Sequence, residues 1–350
     1  MSDDSITVTT PKHCYGCGSE LTDENDSAAH IIPNALGGRL APRGIICGDC
    51  NGVLDRIADN PLLKTFAQWP TLLNIPRQRG RHPPVTIEDS EGNKYRVEAD
   101  GSRTIARPEY EQEAIDEGHK IEIRAPTWKQ ADQLIGRATK QFPQLDPIEA
   151  RQHARVVSEM PPHQWNIRMN FAPNVCFPGI MSALWLFHIF KTGKSLFSWD
   201  ELQAMISEEV LVERLRYMPD GFPGLIGPTR EISHKLIIKS VGAEHRQLVG
   251  YAEILGVLRI GGVICDNHDG QIEEIYVADP FSKDDLSSEF RIDNAAVEAT
   301  DWSGAGVIFD TATAKADLLP RLLEATKVLQ TAWQEREANG STGNLQSVSE

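Results

Sequence analysis

The chain has 350 residues, 40% of them hydrophobic, and 35 Lys and Arg stand against 50 Asp and Glu for a net charge of −15. That length and apolar content support a sizeable core and more than one domain, while the acidity excludes a general nucleic-acid coat and confines any DNA contact to a patch. No stretch of sequence approaches the roughly 20 apolar residues of a membrane span, and the opening Met1-Ser-Asp-Asp-Ser-Ile-Thr-Val8 lacks the basic and apolar parts of a secretory signal. A cytoplasmic protein without a membrane partner is expected.

Four of the six cysteines form two Cys-x2-Cys pairs, Cys14 with Cys17 and Cys47 with Cys50, separated by 29 residues. Each pair offers two sulfurs from one tight turn, so the two together can close a tetrahedral zinc site. A closed four-thiolate site leaves no open coordination position, which makes such a zinc structural and not catalytic. Between the pairs lie His30-Ile-Ile-Pro33 and Leu36-Gly-Gly-Arg39, whose glycines suit a turn between short strands. Asn51 follows Cys50 directly, and Asp59 comes eight residues later. A neutral imidazole can take a proton from water at physiological pH, an amide can orient it, and a carboxylate can hold a divalent cation. A phosphodiester needs these parts, because its negative charge repels the nucleophile and its alkoxide leaves poorly. Cys176 and Cys265 are isolated and read as buried thiols that require no disulfide.

In this order of residues, from Cys14 to about Pro84, the segment resembles the HNH endonuclease family, in the group with Cys-x2-Cys before the histidine and Cys-x2-Cys-Asn after it. The resemblance is carried by His30-Ile-Ile-Pro33, Ala35-Leu-Gly-Gly38, Cys50-Asn51-Gly52 and the stretch Leu73 to Gly80. It implies a ββα-metal unit in which a hairpin carries the general base and the following helix carries a metal ligand. Carried over, His30 is the base, Asn51 its orienting residue and Asp59 the ligand of a catalytic Mg²⁺ or Mn²⁺, beside a structural Zn²⁺ on Cys14, Cys17, Cys47 and Cys50. The chain departs from many relatives at Ala29, where they carry Asp, Glu or His as a second ligand; Asp26 and Asp55 are nearby candidates to replace it.

From Gly37 to His82 seven Lys or Arg stand against three Asp or Glu, a local charge of +4 in an acidic chain. Arg39 and Arg43 are expected to project from the hairpin toward a phosphate path, and Arg77, Arg79 and Arg81 form the densest basic cluster. Such side chains contact backbone phosphate without reading sequence.

Beyond Pro84 the pattern predicts a hairpin over Val85 to Glu88 and Asn93 to Glu98 with Gly92 in its turn, and a strand at His119 to Arg124. A helix opens on the Thr127-Trp-Lys-Gln130 capping box and runs to about Gln141. A strand is expected at Gln164 to Asn170 and a buried helix at Ile180 to Phe190, with His188 a core histidine. The last third reads as strands at Lys235 to Val241, Gln247 to Val263 and Gln271 to Val277, with Gly242, Gly261-Gly262 and Asp266 to Gly270 as turns. Asp266, His268 and Asp269 are taken as a polar hairpin turn and not as ligands. A helical stretch is expected after Pro320.

These observations predict an α+β protein: a zinc-stapled ββα unit over 1–84, a larger α+β domain with an antiparallel sheet over 85–338, and a disordered tail over 339–350. The function expected is metal-dependent hydrolysis of DNA, double-stranded by expectation, with a role in defence against foreign DNA suggested by analogy alone. One active site cuts one strand, so a double-strand break needs two copies or two encounters, which admits a homodimer. The alternatives are a catalytically weak or inactive zinc-containing DNA-binding or interaction module and a nuclease directed at RNA.

Overall fold

The structure is a computed structural model. It describes residues 12–302 except 79, 81, 117, 156–164, 167–168, 208–209, 243–245 and 283, and beyond these only Gly306, Pro320, Arg321, Glu324, Lys327 and Thr331. Helices and antiparallel sheets are mixed, the α+β class expected. The expected tail lies outside the described residues, as does most of the helical stretch beyond Pro320.

Two compact units are present. One gathers Met1–Pro70, Ile75–Gly80 and Met169–Glu350; the other is Thr71–Asn74 with Arg81–Arg168. By compactness, then, the cysteine-rich segment shares its unit with the C-terminal sheet, whereas the sequence boundary at 84 sets it apart. The reason lies in the helix that follows Cys47.

That helix runs as Gly48–Leu54, a π turn Asp55–Asp59, and Asn60–Thr65. Pro61 cannot donate a backbone hydrogen bond, and its ring crowds the carbonyl four residues back; the widened turn ahead of it, in which Asn60 N bonds Asp55 O, accommodates both. Leu54, Ala58 and Leu62 are buried, with at most 1% exposure. They need a cover, and the helix Pro173–Thr192 supplies it. At Gly179 a Cβ would stand 2.7 Å from Leu62 Cβ and 3.0 Å from Ala58 O, so a glycine is what allows the two helices this close.

Pro173–Thr192 extends the expected Ile180 to Phe190 run in both directions, and every residue from Cys176 to Ile189 is buried. Its length and composition would suit a membrane span, but most of it is enclosed by protein. A helix apolar on every side is buried on every side. Its other side meets a five-stranded antiparallel sheet in the order Glu273–Ala278, His234–Val241, Gln247–Ile254, Leu258–Cys265, Leu215–Tyr217. Leu184 reaches Gly250, where an added Cβ would come within 2.9 Å of it.

The expected single run Gln247 to Val263 is two strands. Gly261-Gly262, expected to form a turn, lies inside the second of them; the turn is Leu255-Gly256, with φ of +53° and +73°. The glycines serve close approach instead, since a Cβ on Gly262 would stand 2.1 Å from Arg214 O on the chain entering the edge strand. On the far face Met218, Phe222, Ile237, Val249, Tyr251, Val297 and Trp302 form a second core. Beside it Glu253 is 2% exposed and is held by Lys235, by Arg259 Nε at 3.0 Å and by the Tyr251 hydroxyl at 2.7 Å. A buried carboxylate persists only when paired in this way.

The second unit holds a sheet in the order Arg103–Ile105, Lys94–Val97, Val85–Asp89, Trp165–Asn166, and a ribbon Glu109–Ile115 with Gly118–Arg124. Gly92 has the expected left-handed turn conformation, φ +87°. Thr127 caps the helix Trp128–Gln141 by accepting from Gln130 N at 3.4 Å. The reciprocal half of a capping box is absent, because the Gln130 side chain accepts from the Thr127 hydroxyl at 3.0 Å.

Candidate functional site

The four cysteines converge. Their sulfurs lie within 4.8 Å of one another, with Cys14, Cys47 and Cys50 buried and Cys17 exposed. Cys17 Sγ and Cys47 Sγ stand 3.7 Å apart. Two thiolates at about 2.3 Å from one tetrahedral zinc are about 3.8 Å apart, whereas a disulfide needs about 2.05 Å. Backbone N–H groups point at the sulfurs as they do at thiolates: Gly16 and Cys47 donate to Cys14 Sγ, each at 3.3 Å, and Cys50 donates to Cys47 Sγ at 3.5 Å. At Gly16 a Cβ would stand 2.7 Å from Cys50 Sγ, so only glycine lets the first turn close. Hydrogen bonds from Ser19 draw the Cys17 thiol down to about 6, while burial pushes Cys47 and Cys50 up. The donor set and spacing fit zinc, closed and structural.

The hairpin between the cysteine turns pairs Asp26–Ser27 with Ile46–Cys47 and continues through Ala29 N to Pro42 O and Ile31 N to Leu40 O, at 3.2 and 2.9 Å. Alternation along an extended strand then decides the faces. Ala29 and Ile31 are 0% and 1% exposed, toward the core, and His30 between them is half-buried on the opposite face. Gly37 turns the chain at φ +94°, and a Cβ at Gly38 would lie 1.8 Å from Ile32 O.

His30 Nε2 is 3.2 Å from the amide nitrogen of Gln78. An amide N–H can only donate, so this Nε2 carries the lone pair and the ring proton is on Nδ1. Burial, and then the charge of Arg39, hold His30 below the ordinary imidazole value. Arg39 clamps the arrangement: its guanidinium donates to Asn34 Oδ1 at 3.2 Å and to Pro76 O, tying the segment that carries Gln78 to the hairpin.

Arg39 is therefore turned back onto the protein, where the sequence led to the expectation of a side chain projecting toward a phosphate path; burial draws its pKa below the ordinary value, and it stays charged. Arg43 donates to Asp26 O at 2.9 Å and lies 3.7 Å from that residue's carboxylate, which also accepts from Gly44 N. Asp26 is thus engaged in the hairpin. Arg77 and Gln78 are exposed; Arg79 and Arg81 lie outside the described residues.

Asn51 sits in the first turn of the helix, half-buried and one residue beyond a cysteine of the knuckle. Asp59 ends the π turn, and burial, followed by the charge of Asp55, pushes its carboxyl up to about 7. Asp55 is exposed and accepts from the Asn60 amide at 3.1 Å. The charge acting on His30 is Arg39 and that acting on Asp59 is Asp55, so each has its own electrostatic surroundings.

Residues 14–67 match the model of the HNH endonuclease family. The match spans the knuckle, the hairpin and the helix through Asp59, and it supports a nuclease-type function with a nucleic acid as substrate. Gln78 lies beyond the HNH match; sequence reasoning included the stretch Leu73 to Gly80 in the resemblance but assigned Gln78 no role. No curated protein and no solved structure matches the chain.

Proposed function

We propose that this protein is a metal-dependent endonuclease that hydrolyses phosphodiester bonds in DNA, with His30 as general base. The observation that carries the reading is the state of His30: an Nε2 that accepts from the Gln78 amide, on the hairpin face turned away from the core, in a ring whose surroundings favour the neutral form. A neutral imidazole is what abstracts a proton from water. Asn51 is the residue we assign to orienting the reaction, and Asp59 the ligand of Mg²⁺ or Mn²⁺. Such a cation supplies charge neutralisation at the phosphate and at the departing alkoxide. Loss of the Asp59 proton, held up to about 7, is favoured by a cation at that carboxylate. Gln78 stands where the attacking water has to reach Nε2, so it gives way to that water or hydrogen-bonds it.

One observation favours a second reading, a zinc-containing module that binds DNA without cutting it. Ala29 faces the core, Asp26 is engaged in the hairpin and Asp55 accepts from the Asn60 amide, so Asp59 is the one carboxylate we assign to the cation. Incubating zinc-loaded protein with supercoiled plasmid in Mg²⁺, in Mn²⁺ and in buffer without either separates the two. Nicking that requires the added ion supports the enzyme; retarded but intact plasmid in all three supports the binder. A structured RNA run in parallel tests the substrate class, and faster cleavage of the RNA would move the assignment to it. Duplex DNA as substrate, a homodimer for double-strand cleavage and a role in defence belong to the same proposal.

A further inference from the structure

Two histidines outside the segment that matches the HNH family meet within the same unit. His188, near the end of the helix Pro173–Thr192, is 2% exposed, and His268 lies in the partly exposed loop after the strand Leu258–Cys265. Their Nε2 atoms are 3.2 Å apart and their rings stand at 87°. On the other side of each ring, His188 Nδ1 is 2.9 Å from Lys194 O and His268 Nδ1 is 3.0 Å from Gly270 O.

A carbonyl oxygen only accepts, so both Nδ1 atoms carry protons. A neutral imidazole has one N–H, which leaves two bare Nε2 lone pairs facing each other at hydrogen-bond distance. Such a contact is repulsive unless a metal ion or a proton lies between them, and burial disfavours the extra proton. Burial drives the His188 ring toward its neutral form, with its pKa lowered to about 4.

Metal-binding histidines have this arrangement: one nitrogen donates to a backbone carbonyl, which fixes the tautomer and turns the other lone pair to the ion. Two imidazoles at about 2.0–2.1 Å from one tetrahedral ion hold their nitrogens about 3.3–3.4 Å apart, close to the 3.2 Å observed. The cysteine knuckle shows the same correspondence between donor spacing and ion.

We propose that His188 and His268 form a second metal site, separate from the knuckle, for a borderline divalent ion of the zinc or copper(II) type. Among the described residues no third histidine, cysteine or carboxylate closes on the pair, so water completes the coordination and leaves positions open to an outside ligand. His268 is held by its own backbone, N–H to Arg246 O at 2.7 Å, so the loop presents its ring without a metal.

The test uses the full chain with its knuckle zinc in place, freed of weakly held metal and titrated with Zn²⁺ alone, with bound zinc per chain measured by equilibrium dialysis for wild type and His268→Ala. The variant is expected to hold about one zinc fewer, with an unchanged circular dichroism spectrum. Equal stoichiometry in the two would overturn the site. Should the variant misfold, the imidazole nitrogens of wild type, followed by NMR during the titration, decide: loss of the lone-pair signature at both Nε2 atoms on adding Zn²⁺ supports the site. A proton shared between the rings that zinc does not displace overturns it. Neither readout depends on nuclease activity.

Discussion

The cysteine knuckle and the His30 face lie in one segment, the part of the chain that matches the HNH endonuclease family, yet are built differently. The knuckle is complete within residues 14–50: spacing sets the sulfurs, Gly16 lets the turn close, and backbone N–H groups polarise the thiolates. The His30 face is finished from outside. Gln78 and Pro76 come from beyond the family match, and His234 on the sheet holds Leu36 O at 2.8 Å, steadying the loop that carries Arg39. Burial keeps that His234 neutral, at about 4, so its Nε2–H donates while Nδ1 accepts from Leu255 N. A closed metal site can be written locally, whereas the state of a half-buried histidine depends on the dielectric and the donors that distant chain brings to it.

The sharpest way to break this contrast is to open the knuckle. Cys47→Ser removes one sulfur and the acceptor that caps the helix, so zinc should be lost and the hairpin and helix should melt together. Metal binding and folding are one equilibrium in small sites, with about 10–16 kcal/mol of apparent zinc affinity in isolated fingers. Zinc content and far-ultraviolet circular dichroism read the outcome; a folded, zinc-free variant would show that the C-terminal sheet alone holds the unit.

Asp59→Asn tests the other region. The carboxyl is raised in the folded state, from an ordinary 3.8 to about 7, so the fold binds its proton more tightly than the unfolded chain does. Stability from this group is therefore present at low pH and lost as pH rises between those values. Above them and without added cation, Asp59→Asn should be more stable than wild type by about 1–3 kcal/mol, visible as a higher Tm. It should also lose the Mg²⁺-dependent gain in Tm. A variant with unchanged pH dependence would place the buried charge elsewhere.

The basic cluster should matter less. Replacing Arg77, Arg79 and Arg81 by Gln should weaken binding to all duplex sequences alike and flatten the log–log salt dependence by about 0.9 for each phosphate that is no longer neutralised. Unchanged affinity and slope would mark the segment as a solvated loop. Smallest of all is Gln78→Ala. Removing an N–H that points at His30 Nε2 deprives the neutral ring of a partner, so the acid limb of the pH–rate profile should move toward higher pH while zinc content stays constant. An unmoved limb would show that Gln78 only covers the ring.

How much of this was legible followed from the range of the interaction. Cys14 to Cys50, the helix cap at Thr127 and the strand His234–Val241 are specified by neighbours in sequence, and each is where its pattern places it. The strand Glu109–Ile115 was invisible because it is exposed along most of its length and has no apolar alternation to show. Gly261-Gly262 read as a turn because glycine serves turns and close approaches equally, and only the packing of Arg214 O distinguishes them. His188 was read as a core residue and is indeed buried; its meeting with His268, 80 residues on, lay beyond any local pattern.

Plasmid nicking by His30→Ala beside wild type, with zinc content and Tm measured on the same preparations, tests the central claim most directly. At neutral pH in Mg²⁺ or Mn²⁺ the wild type should nick, and the variant should fall by roughly 10²–10⁴-fold with zinc and Tm unchanged. At saturating Mg²⁺, which holds Asp59 ionised, the wild-type rate should also persist to lower pH than an ordinary imidazole of about 6.5 would allow, since burial and Arg39 keep His30 neutral there. Equal nicking by the two proteins would contradict His30 as the base.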